Sequence, residues 1–188
     1  MLKQLRPAIM LTVVMTALTG VAYPYAVTGV AQVAFPSQAN GSLIERDGKV
    51  IGSSLIGQTF AGDQYFHGRP SAAGNGYDAT SSGGSNLGPT SKALIDRVTA
   101  SVKDLQKTSD QPIPVDLVTT SGSGLDPDIT PAGATYQVAR VAKARGLSAE
   151  QVQGLVDDQI QGRQLGFVGE PHVNVLSLNL ALDQLKKP

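Results

Sequence analysis

The apolar positions of this chain fall into two regimes, an unbroken run and then a periodic pattern. From 8 to 26 the residues are almost all apolar, and no charge stands between Arg6 and Glu45. Roughly 20 such residues rising 1.5 Å each span the ~30 Å hydrocarbon core of a bilayer, so the run predicts a membrane helix. Thr12, Thr16 and Thr19 can return their hydroxyls to the preceding turn and do not block insertion. Lys3 and Arg6 stand on the short side, which the positive-inside rule keeps in the cytoplasm. Tyr23 and Tyr25 fall where an outer aromatic belt would lie, and Pro24 is expected to end or kink the helix. The expected organisation is a cytoplasmic N-terminus (1–7), a transmembrane helix with its outer extension (8–35) and one extracytoplasmic domain (36–188).

A cleaved signal peptide has the same parts: a basic start, an apolar core and a small-x-small site at Gly20-Val21-Ala22. Apolar character continues through Val27, Val30, Val33, Ala34 and Phe35, longer than such a core needs, which favours a retained anchor. Both readings export the domain. Thr16, Gly20 and Gly29 would let a neighbouring helix approach closely, whereas a lipid-facing anchor would need none of them.

Past residue 36 the pattern becomes periodic. Leu43–Arg46 and 49–52 flank Asp47-Gly48, a turn pair that predicts a β-hairpin. From 57 to 88 no period survives, and the segment holds Gln58, Phe60, Tyr65, Phe66, His67, Arg69 and Tyr77 among glycines and serines. Ordered loops of this length usually serve as functional surface. Leu94, Ile95, Val98, Val102 and Leu105 then form one helical stripe, with a start at Thr90 or Ser91 and an end near Gln106. Val115 to Thr119 is expected as a short strand. Thr130 as cap, Pro131 in the first turn and Gly146 as stop mark the next helix. Asp126 and Asp128 are placed beside its positive end, and Arg140, Lys143 and Arg145 at its negative end. Ser148 with Gln151 predicts a capping box for a helix burying Val152, Leu155, Val156 and Ile160, ended by Gly162. The run 173–182 fits a strand or a helix; Asn174 as cap favours the helix. The fold class is therefore α+β: one transmembrane helix and a small domain with a β-hairpin or short sheet and about four helices.

Composition removes several functions. Fifteen basic residues balance 15 acidic ones, aromatics make up 5% and tryptophan is absent, so no nucleic-acid surface is expected. There are no cysteines, hence no disulfide, thiolate metal site or thiol nucleophile. Ser82-Gly83-Gly84-Ser85 is the one weak nucleotide-contact candidate, but it lacks the lysine of a phosphate loop and reads more simply as a turn former. His67 and His172 lie far apart, with no second ligand at helical spacing, so no metal is expected. Ser121 and Ser123 sit in a glycine-rich turn, yet the spacing departs from a nucleophile elbow and nothing places His172 and Asp183 beside them. No catalytic residue is assigned.

Several runs, in order, carry a resemblance that covers nearly the whole chain. They include Leu5-Arg6-Pro7-Ala8, Gly52-Ser53-Ser54-Leu55-Ile56-Gly57-Gln58 and Tyr65-Phe66-His67-Gly68-Arg69-Pro70-Ser71-Ala72. Ser82 to Leu87, Thr119 to Asp126, Ile129-Thr130-Pro131 and Val173-Asn174-Val175-Leu176 continue the series. Together they resemble the C subunit of bacterial Kdp-type potassium-transporting ATPases. The resemblance implies an accessory, non-catalytic subunit of a high-affinity importer in the bacterial inner membrane. Its partners would be a channel-like potassium-binding subunit, a P-type ATP-hydrolysing subunit and another small single-span subunit. The complex would use ATP, Mg2+ and K+, with none bound directly here. The family is also described as a catalytic chaperone that raises the ATP affinity of the hydrolysing subunit; an effect through complex stability reconciles this with a domain outside the membrane. Family members often carry histidine where Asp128 stands, which suggests a capping or solvating role at that position. Partner contact is expected from Thr16 and Gly20 in the helix and from Gln58, Tyr65, Phe66, Arg69 and Tyr77 in the long loop. The rival readings are an exported binding module unrelated to a pump, and an extracytoplasmic hydrolase.

Overall fold

A computed structural model describes residues 2–109 and 111–185. The chain divides into two compact units, Met1–Ile51 and Gly52–Pro188.

In the first unit, helix α1 (Leu2–Ala17) runs through a π-turn (Leu18–Ala22) into α2 (Tyr23–Ala34). The result is one apolar helix, Lys3–Ala34, with none of its apolar window buried among the described residues. Its 32 residues would extend roughly 48 Å, more than a bilayer core requires. Thr12 donates to the Ala8 carbonyl (2.9 Å) and Thr19 to that of Met15 (2.7 Å), so both hydroxyls are satisfied within the helix. Pro24 does not end the helix, contrary to expectation. It sits in the first turn after the π-turn, where the Tyr23 N–H reaches back to Leu18 and the wider winding absorbs the imide. The helix ends at Phe35, where the backbone turns to φ −140°, and α3 (Pro36–Ala39) adds one turn.

The hairpin forms as expected. Strands β1 (Leu43–Arg46) and β2 (Lys49–Ser53) flank Asp47 and Gly48, both at positive φ (52° and 72°). That pair of angles defines the primed turn whose twist matches the strands.

In the second unit no helix or strand stands between Ser53 and Lys92. Helix α4 (Lys92–Leu105) follows its predicted stripe, but the stripe is only half covered: Ile95 stays 55% exposed and Leu105 packs on the core margin. The strand expected at 115–119 is a 3-10 turn, Val115–Leu117. Pro114 fixes the entry, and the Leu117 N–H closes back on its carbonyl at 3.1 Å, a geometry no ladder could share. Strand β3 (Asp128–Ile129) leads into α5 (Pro131–Arg145), whose cap Thr130 accepts from the Gly133 N–H at 3.0 Å. Gly146 ends it in the left-handed conformation, φ 68°. Helix α6 (Ala149–Asp158) carries the complete capping box of Ser148 and Gln151.

Ile160 is not part of that helix. It opens β4 (Ile160–Gln161), which pairs with β5 (His172–Asn174) and stays 38% exposed. The ambiguous C-terminal run divides: Val173 belongs to the strand, and Asn174 caps α7 (Val175–Gln184) by accepting from the Ser177 N–H at 3.0 Å. The sheet order is β3-β5-β4, antiparallel throughout. Its inner face and helices α5, α6 and α7 enclose Val141, Val152, Val156, Val173, Leu178 and Leu182, all fully buried. Each such side chain contributes about 1.5–3 kcal/mol by leaving water.

Candidate functional site

The irregular segment 54–91 is held largely by side chains of α5 and α7, with Asn174 of β5 donating to the Ser54 carbonyl. Its central residues are gripped by two buried amides. Asn179 of α7 accepts from the Phe66 N–H and donates to the Phe66 carbonyl, both at 2.9 Å. Gln137 of α5 does the same to His67, at 2.8 Å and 3.0 Å. Each amide offers one donor and one acceptor in a plane, the pattern that a neighbouring strand would present. Two side chains thus replace the ladder that this segment lacks, and the Phe66 ring drops fully into the core. Phe66 was expected on a contact surface; it has no exposed area to offer. No local pattern could show that, because its partners lie more than a hundred residues away.

The other predicted contact residues are also largely committed within the chain. Tyr65 packs against Phe60 (ring centroids 5.6 Å apart) and lies under the Arg145 guanidinium at 4.8 Å. Arg69 pairs with Asp126 at 2.9 Å and points at the carbonyls of Thr119 and Thr120. The Tyr77 hydroxyl donates to the Arg69 carbonyl at 2.6 Å, and burial, with the Asp126 charge beside it, pushes the phenol up to about 12. Gln58 fills the space beside Gly52, which any side chain there would occupy. Thr16 and Gly20 are exposed on the apolar helix. Arg145 stands with Lys143 in the last turn of α5, as expected, and Arg140 lies a turn earlier; both arginines also anchor the loop. Arg140 donates to the carbonyls of Asp63 and Tyr65, and Arg145 to that of Gln64 and to Asp183.

The glycine- and serine-rich runs meet each other. The Ser82 hydroxyl and the Gly83 N–H both donate to the Ser123 carbonyl (3.0 Å and 2.8 Å), while Gly84 lies over Gly122 and Ser85 is half-buried. Two donors that a phosphate would need are thus occupied by this chain. Ser71 ties the same turn, donating to Gly124 and accepting from Tyr77. Gly124 itself, at φ 67°, has the Gly83 carbonyl where a Cβ would stand. The Ser121 and Ser123 hydroxyls accept from the N–H groups of Gly124 and Leu125. Their proposed triad partners are engaged elsewhere: Asp183 with Arg145, and His172 with the Glu170 carbonyl. A nucleophile–base–acid arrangement is not formed.

A cleft of about 150 Å³ collects Arg69, Asp116, Asp126, Asp128, Glu170 and His172. Asp116, not singled out in the sequence, is the carboxylate at the start of α5. It is 5% exposed, accepts from the Thr130 N–H at 2.7 Å, and lies where a Cβ on Gly133 would collide. Asp126 and Asp128 were expected in that role. Asp126 is instead taken by Arg69 and by the Asp128 N–H, and Asp128 accepts from Asn174 at 3.1 Å. Burial holds the Asp128 carboxyl above its usual range, partly offset by His172, whose Nε2 stands 3.9 Å away. Among the described residues no group of three histidines or carboxylates is placed to hold a metal ion. A wider cleft of about 500 Å³ runs past Asp63, Lys107, Arg140 and Lys143, but Arg140 is spent on backbone carbonyls.

The arrangement is one of loops fastened to a scaffold. The family model described as K+-transporting ATPase, c chain, matches residues 5–184. A "Potassium-transporting ATPase KdpC subunit" of Methylobacterium nodulans is 59% identical over 98% of both chains. Its counterpart in Bradyrhizobium diazoefficiens is 58% identical over 98% of both. That of Rhodospirillum rubrum is 59% identical, covering 98% of this chain and 97% of its own. This chain belongs to the KdpC family, the C subunits of potassium-transporting ATPases.

Proposed function

We propose that the chain is an accessory, non-catalytic subunit of an ATP-driven potassium importer, anchored by its apolar helix and acting through assembly of the complex. The observation that carries this is the apolar helix Lys3–Ala34, long enough to cross a membrane and with no part of its apolar window buried among the described residues, within a sequence matched by the family model almost end to end. Such a helix requires lipid or other helices, and Thr16 and Gly20 give a partner helix room. The bias of Lys3 and Arg6 supports a single-pass topology in the inner membrane, with the N-terminus in the cytoplasm and the domain outside. The partners in this reading are a channel-like potassium-binding subunit, a P-type ATP-hydrolysing subunit and a further small single-span subunit. ATP, Mg2+ and K+ belong to those neighbours. A rise in the ATP affinity of the hydrolysing subunit then follows from stabilising its assembled state, with no nucleotide on this chain. The engagement of Ser82 and Gly83 by Ser123 supports that division of labour.

The test is a detergent pull-down of the full-length tagged chain from potassium-starved cells. A polytopic channel-like protein and a P-type ATPase should accompany it in fixed ratio. A chain recovered alone, cleaved near residue 22, would replace this reading with an exported binding module.

A further inference from the structure

The connection between β4 and β5 is built unlike the rest of the domain. Gln164 and Val168 exchange both backbone hydrogen bonds, each 2.9 Å, and so extend the sheet outward as a narrow hairpin. Arg163 and Glu170 close an ion pair across its two strands. At the tip Leu165 is 86% exposed and Phe167 72%, with Val168 beside them 46% exposed. Leu165 also holds φ 53°, a left-handed backbone that costs a leucine about 1 kcal/mol or more, and that strain is kept to present the side chain. Single exposed apolar residues are ordinary. A rigid tip carrying three of them, one aromatic, is the form of an interface anchor.

Charge decides between the surfaces such a tip could enter. Its base opens onto the acidic cleft, where Asp116, Asp126, Asp128 and Glu170 outnumber the one guanidinium, that of Arg69. Glu170 and His172 also line the groove beside Val168, so cleft and tip are continuous. Between 159 and 175 the only basic side chain besides His172 is Arg163, already paired with Glu170. An anionic lipid surface would be repelled, and a membrane-seeking tip would be expected to carry lysines or tryptophan, which this one lacks. A second copy would bring two acidic bases together. We infer that the Leu165–Phe167 tip is a docking anchor for another subunit of the pump, one that offers an apolar socket rimmed by basic side chains. This rests on the subunit reading above.

The chain has no cysteine, so Phe167→Cys supplies a single thiol. Maleimide labelling would be compared between the purified assembled pump and the same full-length chain alone in detergent. Protection of about tenfold or more in the complex is expected, because interface cores exclude water. A benzophenone placed on that thiol should crosslink to another pump subunit. Leu165→Ser with Phe167→Ser should weaken co-purification by about tenfold or more while leaving the melting temperature unchanged, since neither side chain is buried. Equal labelling in both states, or crosslinks only to lipid or to a second copy, would overturn the inference. If the wild-type chain brings no pump with it, the subunit reading falls and takes this inference with it. If the wild type does so but the thiol stays reactive, only the inference falls.

Discussion

Replacing Asn179 with leucine keeps the γ-branched outline of the side chain, with somewhat more bulk, and removes the amide that grips Phe66. In the native fold Asn179 is 1% exposed and satisfies both backbone groups of Phe66 at 2.9 Å. With leucine, one N–H and one carbonyl are left without partners in the interior, each costing about 1–3 kcal/mol. The added apolar burial of leucine returns roughly 1 kcal/mol. The expected loss is therefore about 1–5 kcal/mol, against the ~5–15 kcal/mol that holds a domain of this size. Chemical denaturation of the full-length chain in detergent, followed by far-UV circular dichroism, would measure it. Hydrogen exchange would add a local readout, because the Phe66 amide should lose its protection before the amides of α5 do. A loss below ~1 kcal/mol would mean that the loop is held by its ring alone and that the clamp is ornamental. Asn179→Asp separates the halves: it keeps the acceptor for the Phe66 N–H, loses the donor, and buries a charge, so it should be worse than leucine.

Gly124→Ala should destabilise the domain by about 2–3 kcal/mol, since positive φ and a carbonyl 2.6 Å from the new Cβ act together; an unchanged melting temperature would refute the packing of the two glycine-rich runs. Ser148→Ala removes the capping-box acceptor at the start of α6 and should cost about 1 kcal/mol by denaturation. Burial pulls His67 below its usual 6.5, against the hydrogen bond to the Gly62 carbonyl and aided by Arg140. The unfolded chain therefore takes up that proton first: the stability due to neutral His67 is complete above 6.5 and is lost as pH falls through that value towards the folded one. His67→Gln should flatten this part of the stability–pH curve; an unaltered slope would mean the imidazole is not desolvated.

What could be read in the sequence was what neighbouring residues decide. Thr130, Ser148, Asn174 and Gly146 announce helix ends because capping is a contact across three or four positions. Asp47-Gly48 fixed its hairpin for the same reason. The failures share a different cause. Ile160 looked helical by spacing, yet it pairs across to Val173 in the sheet. Val115 to Thr119 is β-rich in composition, but Pro114 and the burial of Asp116 against α5 impose a turn. Phe66 read as surface because its neighbours are glycines and polar residues, while its partners are Asn179 and the distant core. Asp116 escaped notice for the same reason: one aspartate carries no pattern until Thr130 is placed beside it. The long loop could be recognised as unusual, but which of its residues face inward could not be read from it.

The clamp on Phe66 joins residues 113 positions apart, and its far half lies on the last helix of the domain. Closure over so long a separation comes late in folding, and on a chain made from its N-terminus it cannot happen until α7 has been synthesised. Throughout its production the protein therefore carries a loose segment with a bare phenylalanine, attached to an apolar helix that already seeks the membrane. Loss of α7 would remove Asn179 and leave that segment without its clamp. Helix α7 then sets the order of events: the loop can shut only on a chain that has already reached Asn179.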